Sequence, residues 1–360
     1  MIPQKNSLTK RYNLRLYIIV LTFLTTVCFL TSCGDSDSET ESQLTEITSS
    51  NWMSIIDGTK LLSEMNIPGT HDSGTMHNSC GLGEGKAQDM MPIDILNAGG
   101  RILDLRLHYH HASSGEDAFI IRHGICHCYT DSSHSKELNF DHVLDDCIDF
   151  LTDNPTETVI VLIKQNSDSH ETTDFTTLME GNRYLSNDKY KDKIYLRSPV
   201  AQFDYVNGTI PTLDDVRGKI VWVRRYDIYN SDGKIIEKEQ GINLTNWDDQ
   251  NSYFEYGNIG GITVRIQDAY NYFSSDWDKK WNQIDTAASD SVAHPEYLVL
   301  NLTSAVGGTL GTPHPKGMAD KINPNITESY FKKGSNYDWI IMDFITSDLA
   351  KIIYESNPEF

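Results

Sequence analysis

The fold and the chemistry of this chain are organised around the stretch Asn66-Ile67-Pro68-Gly69-Thr70-His71-Asp72-Ser73-Gly74-Thr75. A short apolar run ends in the turn signal Pro68-Gly69, and a His-Asp pair follows at once. Histidine exchanges a proton near neutral pH, because its unperturbed pKa is about 6.5. Enzymes built on barrels and open sheets place such groups just after a strand. One histidine in a turn decides little alone, so its meaning depends on what the other strands carry.

Apolar runs of strand length recur along the chain at wide spacing. They cover residues 61–67, 102–107, 118–121, 159–163, 220–223, 262–266, 297–302 and 339–342. Most are nearly continuous in Val, Ile and Leu, which is typical of strands buried on both faces. Amphipathic segments such as residues 142–151 separate several of them. Eight strands alternating with helices predict an α/β fold, a single (βα)8-type TIM barrel.

Two connections do not suit a regular barrel. The link from Leu107 to Ala118 is too short for a crossover helix. Residues 227–261 are rich in Gly, Asn and Asp, which favours loop over helix. We therefore expect the barrel to be irregular.

Polar side chains stand at or just beyond the C-terminal end of nearly every predicted strand. Asp104 and Arg106 are two residues apart in a strand, so both point to the same face. In a barrel these strand ends converge on one mouth, which predicts a single active site. In chain order the residues are His71, Asp72, Asp104, Arg106, His123, Lys164, Arg225, Asp268, Asn301, Thr303 and Asp343.

Two histidines with carboxylate partners suit paired general acid and general base catalysis. Asp72 and Asp343 are candidates to orient them and to stabilise their charged forms. Arg106 offers a planar fork that matches a phosphate group. A base, an acid and a fixed cation predict a reaction in which a neighbouring hydroxyl attacks phosphorus. Charged groups suited to the hydroxyls of a sugar-like ring are Lys164, Arg225 and Asp268.

The N-terminal segment has the pattern of an export signal. Basic residues precede the uncharged apolar stretch 16–30, which is too short to span a membrane. Leu30-Thr31-Ser32-Cys33 resembles a bacterial lipobox, which implies cleavage after residue 32 and lipidation of Cys33; an ordinary secretory signal is the alternative. Residues 33–50 are acidic and rich in Ser and Thr, which predicts a disordered tether before a folded domain at 51–360. We therefore expect a lipoprotein of the cell envelope, in the outer membrane or at the cell surface.

Charge narrows the range of partners. Loss of residues 1–32, with four basic and no acidic side chains, takes the formal charge from −21 to −25. This balance argues against nucleic acid and disfavours broad adhesion to anionic membranes. We expect a monomer in which a few local cations meet an anionic substrate.

Four cysteines remain beyond the signal and the lipobox, and an exported domain permits disulfides among them. They are Cys80, Cys126, Cys128 and Cys147, and three pairings are open. The Cys126-His127-Cys128 run, with histidines upstream, could also be a metal cluster. Cys-x-Cys lacks the usual zinc spacing, so a disulfide is favoured.

The motifs together resemble the X domain of bacterial phosphatidylinositol-specific phospholipase C over about residues 52–350. The matching segments are residues 67–75, Gly100-Arg101-Ile102-Leu103-Asp104-Leu105-Arg106, His123-Gly124, Asn154-Pro155-Thr156-Glu157-Thr158 leading to Lys164, Arg217-Gly218-Lys219-Ile220-Val221 leading to Arg225-Tyr226, Gln267-Asp268-Ala269-Tyr270, Asn301-Leu302-Thr303-Ser304 and Trp339-Ile340-Ile341-Met342-Asp343.

The resemblance implies a role for each matching position. It implies that His71 is the general base oriented by Asp343, that His123 is the general acid assisted by Asp72, and that Arg106 binds phosphate. The implied reaction cleaves phosphatidylinositol to diacylglycerol and inositol 1,2-cyclic phosphate, with slow hydrolysis of the cyclic product. The substrate contacts implied are Lys164, Arg225, Asp268, Tyr270 and Asp104.

No metal or other cofactor is expected. Eukaryotic relatives hold calcium with carboxylates after the first two strands, whereas this chain has Arg106 where a ligand would be expected. A guanidinium can neutralise phosphate in place of the ion, and Asp104 alone cannot build a calcium cage of six or more oxygen ligands.

Three other functions remain as alternatives. A glycerophosphodiester phosphodiesterase would share the barrel but require a carboxylate set for a metal. A surface lipoprotein could bind inositol lipids without turning them over, yet binding alone needs neither proton donor nor acceptor. A glycosidase would use two carboxylates where this chain has histidines. The natural lipid, whether free, glycosylated or a glycosylphosphatidylinositol anchor, is left open.

Overall fold

The computed structural model of the chain describes residues 46–111, 115–166, 172–196, 208–247, 252–308 and 314–360. The predicted signal peptide at 1–32 and the predicted lipidation site Cys33 lie outside these residues. Within the described ranges no helix is long and apolar enough to cross a membrane.

The folded domain begins earlier than the sequence predicts. Ile47 packs against an apolar cluster inside the domain, and the carbonyl of Ser49 accepts a hydrogen bond from Arg101 Nη2 at 2.9 Å. Thr48 N also donates to Asn51 Oδ1 at 2.7 Å, which forms a local turn. The predicted tether over residues 33–50 is therefore wrong at its end, and the compact unit starts at Ile47.

The apolar runs form one sheet of 12 strands. Parallel pairing dominates, because helices and long connections carry the chain back between neighbouring strands. The strands are β1 (Ile67–Thr70), β2 (Ile102–His110), β3 (Ala118–His123), β4 (Cys126–His127), β5 (Val159–Gln165), β6 (Ile194–Tyr195), β7 (Ile220–Arg225), β8 (Ile242–Asn243), β9 (Tyr253–Ile259), β10 (Ile262–Gln267), β11 (Leu298–Leu302) and β12 (Trp339–Met342).

Helices occupy several of the connections between strands. The predicted helix at 142–151 is confirmed inside α2, whose N-cap Asn139 accepts from His142 N. The α-helices are α1 (Pro92–Asn97), α2 (Phe140–Asp153), α3 (Thr172–Glu180), α4 (Leu213–Val216), α5 (Trp277–Ala293), α6 (Pro315–Ile322) and α7 (Ser347–Tyr354). Short 3-10 turns are Trp52–Ile55, Leu62–Glu64, Gly81–Gly83, Ser274–Asp276 and Asn323–Asn325.

The sheet runs in the order β6-β7-β5-β2-β1-β12-β11-β10-β9, with β1 at its centre between β2 and β12. Gly69 of β1 aligns with Ile102 of β2 on one side and Ile341 of β12 on the other. Among the described residues no ladder joins β8 to β9, where Tyr256 Oη instead donates to the carbonyl of Asn243 at 3.0 Å. The fold is thus α/β with a parallel-rich, barrel-like sheet, and the expected full closure by strand pairing is not found in the described part.

Two predicted strands differ from the structure. The run at 118–121 is β3, which pairs antiparallel with β2 as a hairpin instead of forming a barrel strand. This explains the link that is too short for a crossover. The run at 61–67 contains a 3-10 turn, and β1 begins only at its last residue, Ile67.

Alternation along the strands creates two apolar layers. One set packs outward against the helices, for example Leu103, Leu105 and Val161. The other set fills the interior of the barrel, for example Ile102 and Leu162. The charged residues at the strand ends continue the interior set.

The disulfide pairing left open by the sequence is Cys80 with Cys126, with the Cα atoms 5.4 Å apart. Cys128 and Cys147 are unpaired and buried. Cys126 is therefore committed to a disulfide, and the alternative metal cluster around it does not form.

Candidate active site

The interior rows of several strands end in charged residues at one mouth. In β2, Asp104 and Arg106 follow Ile102 on the same face, as predicted. Lys164 follows Leu162 in β5 in the same way. The cavity at this mouth has a volume of about 520 Å³. Eight of the ten predicted catalytic and substrate-contact residues line it, namely His71, Asp104, Arg106, His123, Lys164, Arg225, Asp268 and Tyr270. The other two, Asp72 and Asp343, are buried and contact the histidines.

His71 follows the end of β1 and is fixed by its neighbour β12. Its backbone N–H donates to the carbonyl of Met342 at 3.0 Å, and Nδ1 lies 2.8 Å from Asp343 Oδ1. An ionised carboxylate only accepts hydrogen bonds, so Nδ1 carries the proton and Nε2 faces the cavity. This is the tautomer that a general base needs.

Gln88 holds the ends of β1 and β12 together, and sequence reasoning missed it. Its fully buried amide nitrogen donates to the carbonyls of His71 and Met342, each at 2.8 Å. Its oxygen accepts from Ile345 N at 3.2 Å. A single glutamine in a loop carries no periodic or motif signal that would reveal this role.

Asp72 lies at the centre of the site in a left-handed conformation with φ of 45°. Its Oδ2 faces Nε2 of His71 and Nε2 of His123, each at 3.2 Å. Its Oδ1 lies 2.8 Å from Arg106 Nε, as an ion pair without hydrogen-bond alignment. The expected pairing of Asp72 with His123 is therefore present, and the same carboxylate also faces His71.

His123 ends β3 and reaches the site from the opposite side. Its Nδ1 lies 2.9 Å from the carbonyl of Gly85, which can only accept, so Nδ1 donates. Its Nε2 faces Asp72 and the cavity. When Nε2 is also protonated, the ring is an imidazolium with one proton aimed at the cavity.

The charges of the cluster shift its pKa values. Burial alone would lower the pKa of His71, but the charges of Asp72 and Asp343 raise it to about 9. Burial alone would raise the pKa of Asp72, but the charges of Arg106, His123 and His71 lower it below its usual range. For Asp343, burial outweighs the His71 charge and raises the pKa.

Nε2 of His71 lies between a group that can only donate a hydrogen bond and a group that can only accept one. Arg106 Nη2, at 3.3 Å, only donates, and Asp72, at 3.2 Å, only accepts. The raised pKa favours a proton on Nε2 in the resting site, where the charge of Asp72 stabilises it. Loss of that proton leaves a lone pair that faces the guanidinium and the cavity.

A metal ion would compete with Arg106 for the same space. His71, Asp72 and Asp104 offer three ligand atoms within 4.8 Å of one another. The guanidinium already contacts Asp72 at 2.8 Å and His71 at 3.3 Å. A second cation placed among these ligands would face the repulsion of the first, so these residues do not fit a resident metal.

The far side of the cavity carries three more charges. Burial and the nearby charges of Arg225 and Arg106 lower the pKa of Lys164. The Arg225 guanidinium stacks on the Trp247 ring, with its carbon 3.6 Å from the ring centroid. Asp268 has a pKa raised by burial although Arg225 lowers it. This wall presents donors and acceptors to a ligand with several hydroxyl groups.

Lys280 is a second residue that sequence reasoning missed. It lies on α5 and is fully buried, with Nζ donating to the Leu302 carbonyl at 2.6 Å and to Gln267 Oε1 at 3.1 Å. Burial lowers its pKa to about 7, although the charges of Asp268 and Asp343 raise it. Lys280 lies four residues before the buried Ile284, so it belongs to the apolar stripe of the helix. That position is the signal in the sequence that could have predicted its burial.

The sequence matches a known family. The model of the family described as "Phosphatidylinositol-specific phospholipase C, X domain" matches residues 65–226. The chain is 27% identical over 321 residues to the 1-phosphatidylinositol phosphodiesterase of Staphylococcus aureus (strain Newman), covering 85% of this chain and 94% of that protein. It is 28% identical over 317 residues to the 1-phosphatidylinositol phosphodiesterase of Listeria monocytogenes (strain EGD-e), covering 86% of each.

Solved structures agree with this match. A phosphatidylinositol-specific phospholipase C from S. aureus superposes with a TM-score of 0.67 at 26% identity, covering 86% of this chain and 98% of that one. The enzyme from L. monocytogenes gives a TM-score of 0.63 at 24% identity, over 86% of this chain and 99% of that one, which supports the fold alone.

Proposed function

We propose that the chain belongs to the family of phosphatidylinositol-specific phospholipases C with an X domain, whose model matches residues 65–226, and that it cleaves phosphatidylinositol to diacylglycerol and inositol 1,2-cyclic phosphate. The observation that carries the proposal is Asp72, whose carboxylate faces two imidazoles and one guanidinium. Such a group of side chains suits a phosphodiester with a neighbouring hydroxyl.

His71 begins the reaction as the general base. Its Nε2 takes the proton of the inositol 2-hydroxyl, and the resulting oxygen forms a bond to phosphorus. Asp343, bonded to Nδ1 at 2.8 Å, stabilises the imidazolium that forms. The proton removed from the hydroxyl thus stays on His71.

His123 completes the reaction as the general acid. The bond between phosphorus and the glycerol oxygen breaks, and Nε2 of His123 gives its proton to that oxygen. Diacylglycerol leaves with this proton, and the 2-oxygen closes the five-membered cyclic phosphate. In the slow second reaction the roles reverse, because a protonated His71 and a neutral His123 are what remain.

Arg106 supplies the fixed positive charge for the phosphate. Its guanidinium lies within 3.3 Å of His71 and pairs with Asp72, so it is aimed at the same point as both imidazoles. It replaces the function of a metal ion and needs no reorganisation during the reaction. We propose metal-independent catalysis on this ground.

The polar wall opposite the histidines suits the inositol ring. Lys164 and Arg225 donate hydrogen bonds, and Asp104 and Asp268 accept them, which fits a ring with a hydroxyl on each free carbon. Tyr270 lines the same cavity and offers a flat apolar face to the ring. A phosphate with an inositol ring fits both halves of the site.

Phosphorus NMR tests the proposal directly. The full chain is mixed with phosphatidylinositol in detergent micelles and with EDTA, and His71→Ala serves as the matched control. We expect a cyclic phosphodiester resonance from the wild type and none from the variant. A folded wild type that binds the lipid without turnover would indicate a binding protein, and turnover that stops with EDTA would indicate a metal-dependent phosphodiesterase.

We also propose that the enzyme is a lipoprotein of the cell envelope, anchored through Cys33 at the outer membrane or cell surface. The apolar stretch and lipobox-like sequence before Cys33 support this location. Mass spectrometry of the mature N-terminus should find acyl chains on Cys33. Cys33→Ser should release the enzyme from membranes, and membrane retention of that variant would refute the anchor.

A further inference from the structure

The general acid His123 depends on a backbone carbonyl in a separate loop. Its Nδ1 donates to the carbonyl of Gly85 at 2.9 Å, and this bond sets the rotation of the ring about its Cβ–Cγ bond. Nε2 can face the cavity only while Gly85 keeps its place. The position of the acid therefore depends on the contacts that hold the Gly85 loop, residues 80–86, against the β3–β4 hairpin.

Backbone pairing with the hairpin holds only the residues before this loop, and just after it the carbonyl of Ala87 accepts from Phe344 N at 2.7 Å. Ser79 N donates to the carbonyl of His127 at 2.9 Å, and Tyr129 N donates to the carbonyl of His77 at 2.7 Å. Within the Gly85 loop the hydrogen bonds are local, such as Glu84 N to the carbonyl of Gly81 at 3.1 Å. The ladder therefore ends before the loop reaches the histidine.

The Cys80–Cys126 disulfide continues the attachment where the ladder ends. Cys126 lies three residues after His123, and Cys80 begins the loop that carries Gly85. A Cβ atom added at Gly85 would lie 3.0 Å from Cys126 Sγ and 3.1 Å from His123 Nδ1. The disulfide sulfur, the Gly85 backbone and the imidazole thus pack against one another at the edge of the cavity.

We propose that the Cys80–Cys126 disulfide is a positioning device for the general acid: it holds the Gly85 carbonyl on Nδ1 of His123 and makes the release of the leaving group dependent on the oxidised state. This inference rests on the proposed function, since it concerns how the general acid of that reaction is held in place. Cys80 and Cys126 are positioning residues, because their sulfurs are joined to each other and act on the imidazole through Gly85.

Cys128 does not compete for this disulfide. It is two residues from Cys126 and fully buried, and burial raises the pKa of its thiol above the usual range. Only a thiolate attacks a disulfide, so this neutral thiol leaves the bridge intact. The bridge is opened by an external reductant, which gives two electrons while each sulfur takes up one proton.

The test compares two leaving groups. The first substrate is a short-chain, monomeric phosphatidylinositol, whose glycerol alkoxide needs protonation. The second is inositol 1-(4-nitrophenyl phosphate), whose phenolate leaves without a general acid. The double variant Cys80→Ala/Cys126→Ala is compared with the wild type, and Cys147→Ala, which removes a buried thiol from α2, is the matched control.

We expect the double variant to lose about tenfold or more in kcat/KM for the lipid and less than about twofold for the nitrophenyl substrate. Cys147→Ala should leave the ratio of the two values unchanged. A phosphine reductant gives two electrons to the disulfide and takes the oxygen of its oxide from water. It should reproduce the loss in the wild type and have no effect on the double variant. Equal losses for both substrates, or no loss for either, would refute the positioning role.

Nitrogen-15 NMR of the imidazole gives a readout that does not require turnover. The Nδ1–H proton of His123, assigned with His123→Gln, should be protected from exchange in the wild type and exchange rapidly in the double variant. Protection that is equal in both would overturn the proposal. A wild type with no activity but with disulfide-dependent protection would refute the proposed enzyme function and leave the positioning role standing.

Discussion

Replacement of Asp343 by asparagine should change the pH dependence of the reaction in a defined direction. The pKa of His71 is raised to about 9, and Asp343 is one of the two main charges that raise it. A base must be unprotonated and the acid His123 protonated, so kcat/KM should follow a bell-shaped pH profile whose rise reflects loss of the His71 proton, with a pKa of about 9. Without the Asp343 charge the imidazolium of His71 is less stable, so the pKa of His71 falls. The rise of kcat/KM should therefore begin at lower pH.

The size of the change follows from the geometry. A carboxylate bonded to Nδ1 at 2.8 Å is close enough to move a histidine pKa by about one to three units. Asparagine can also donate to Nδ1, which favours the tautomer with the proton on Nε2 and removes the lone pair needed for catalysis. We expect a fall in kcat of about 10²- to 10⁴-fold, with the acidic limb of kcat/KM moved down by about 1–3 pH units.

The assay is kcat/KM for short-chain phosphatidylinositol from pH 5 to pH 10, with Asp338→Asn as the control. Asp338 is a buried carboxylate just before β12, the strand that Asp343 follows, and it also has a pKa raised by burial, to about 8. It binds Ser291 and Val299 away from the cavity, so its variant should lose stability but keep the pH profile. An unmoved acidic limb in Asp343→Asn would refute the assignment of His71 as the base.

Four further outcomes are expected. Trp247→Ala should raise KM about 5- to 30-fold with little change in kcat, because the stacked Arg225 loses a contact of about 1–2 kcal/mol; an unchanged KM would remove Arg225 from substrate binding. Lys280→Met should change the free energy of unfolding by less than about 1 kcal/mol in urea titrations, since both of its acceptors keep another donor. The Cys80→Ala/Cys126→Ala variant should lose about 2–4 kcal/mol of unfolding free energy, since the bridge spans 46 residues, and an unchanged denaturation midpoint would contradict this. Incubation with EDTA followed by desalting should leave kcat unchanged, and restoration by added calcium would contradict metal-independent catalysis.

The sequence was sufficient to predict the strands that build the site. Runs of Val, Ile and Leu marked β2, β5, β7, β10, β11 and β12, because strands buried on both faces have no polar alternation. The polar ends of those strands then located the cavity, since parallel strands end at the same edge.

The errors came where apolar composition does not determine pairing. Ala118–His123 is as apolar as a barrel strand, yet its short connection to β2 forces an antiparallel hairpin. The hairpin nevertheless brings His123 to the mouth of the barrel. The wrong strand topology therefore affected the predicted fold but not the predicted site. Gln88 and the Gly85 carbonyl act through the backbone, and residue type alone does not encode such contacts.

The shared position of Asp72 has a consequence for the whole cycle. In the proposed mechanism His123 carries the positive charge before cyclisation and His71 is neutral, and afterwards His71 carries it and His123 is neutral. Asp72 Oδ2 lies 3.2 Å from Nε2 of each ring, so it is paired with one imidazolium at both stages. The electrostatic energy of the Asp72 carboxylate therefore changes little as the positive charge passes from His123 to His71. Arg106 stays paired with its other oxygen throughout. One carboxylate can therefore support both formation and hydrolysis of the cyclic phosphate, whereas Asp343 acts on His71 alone.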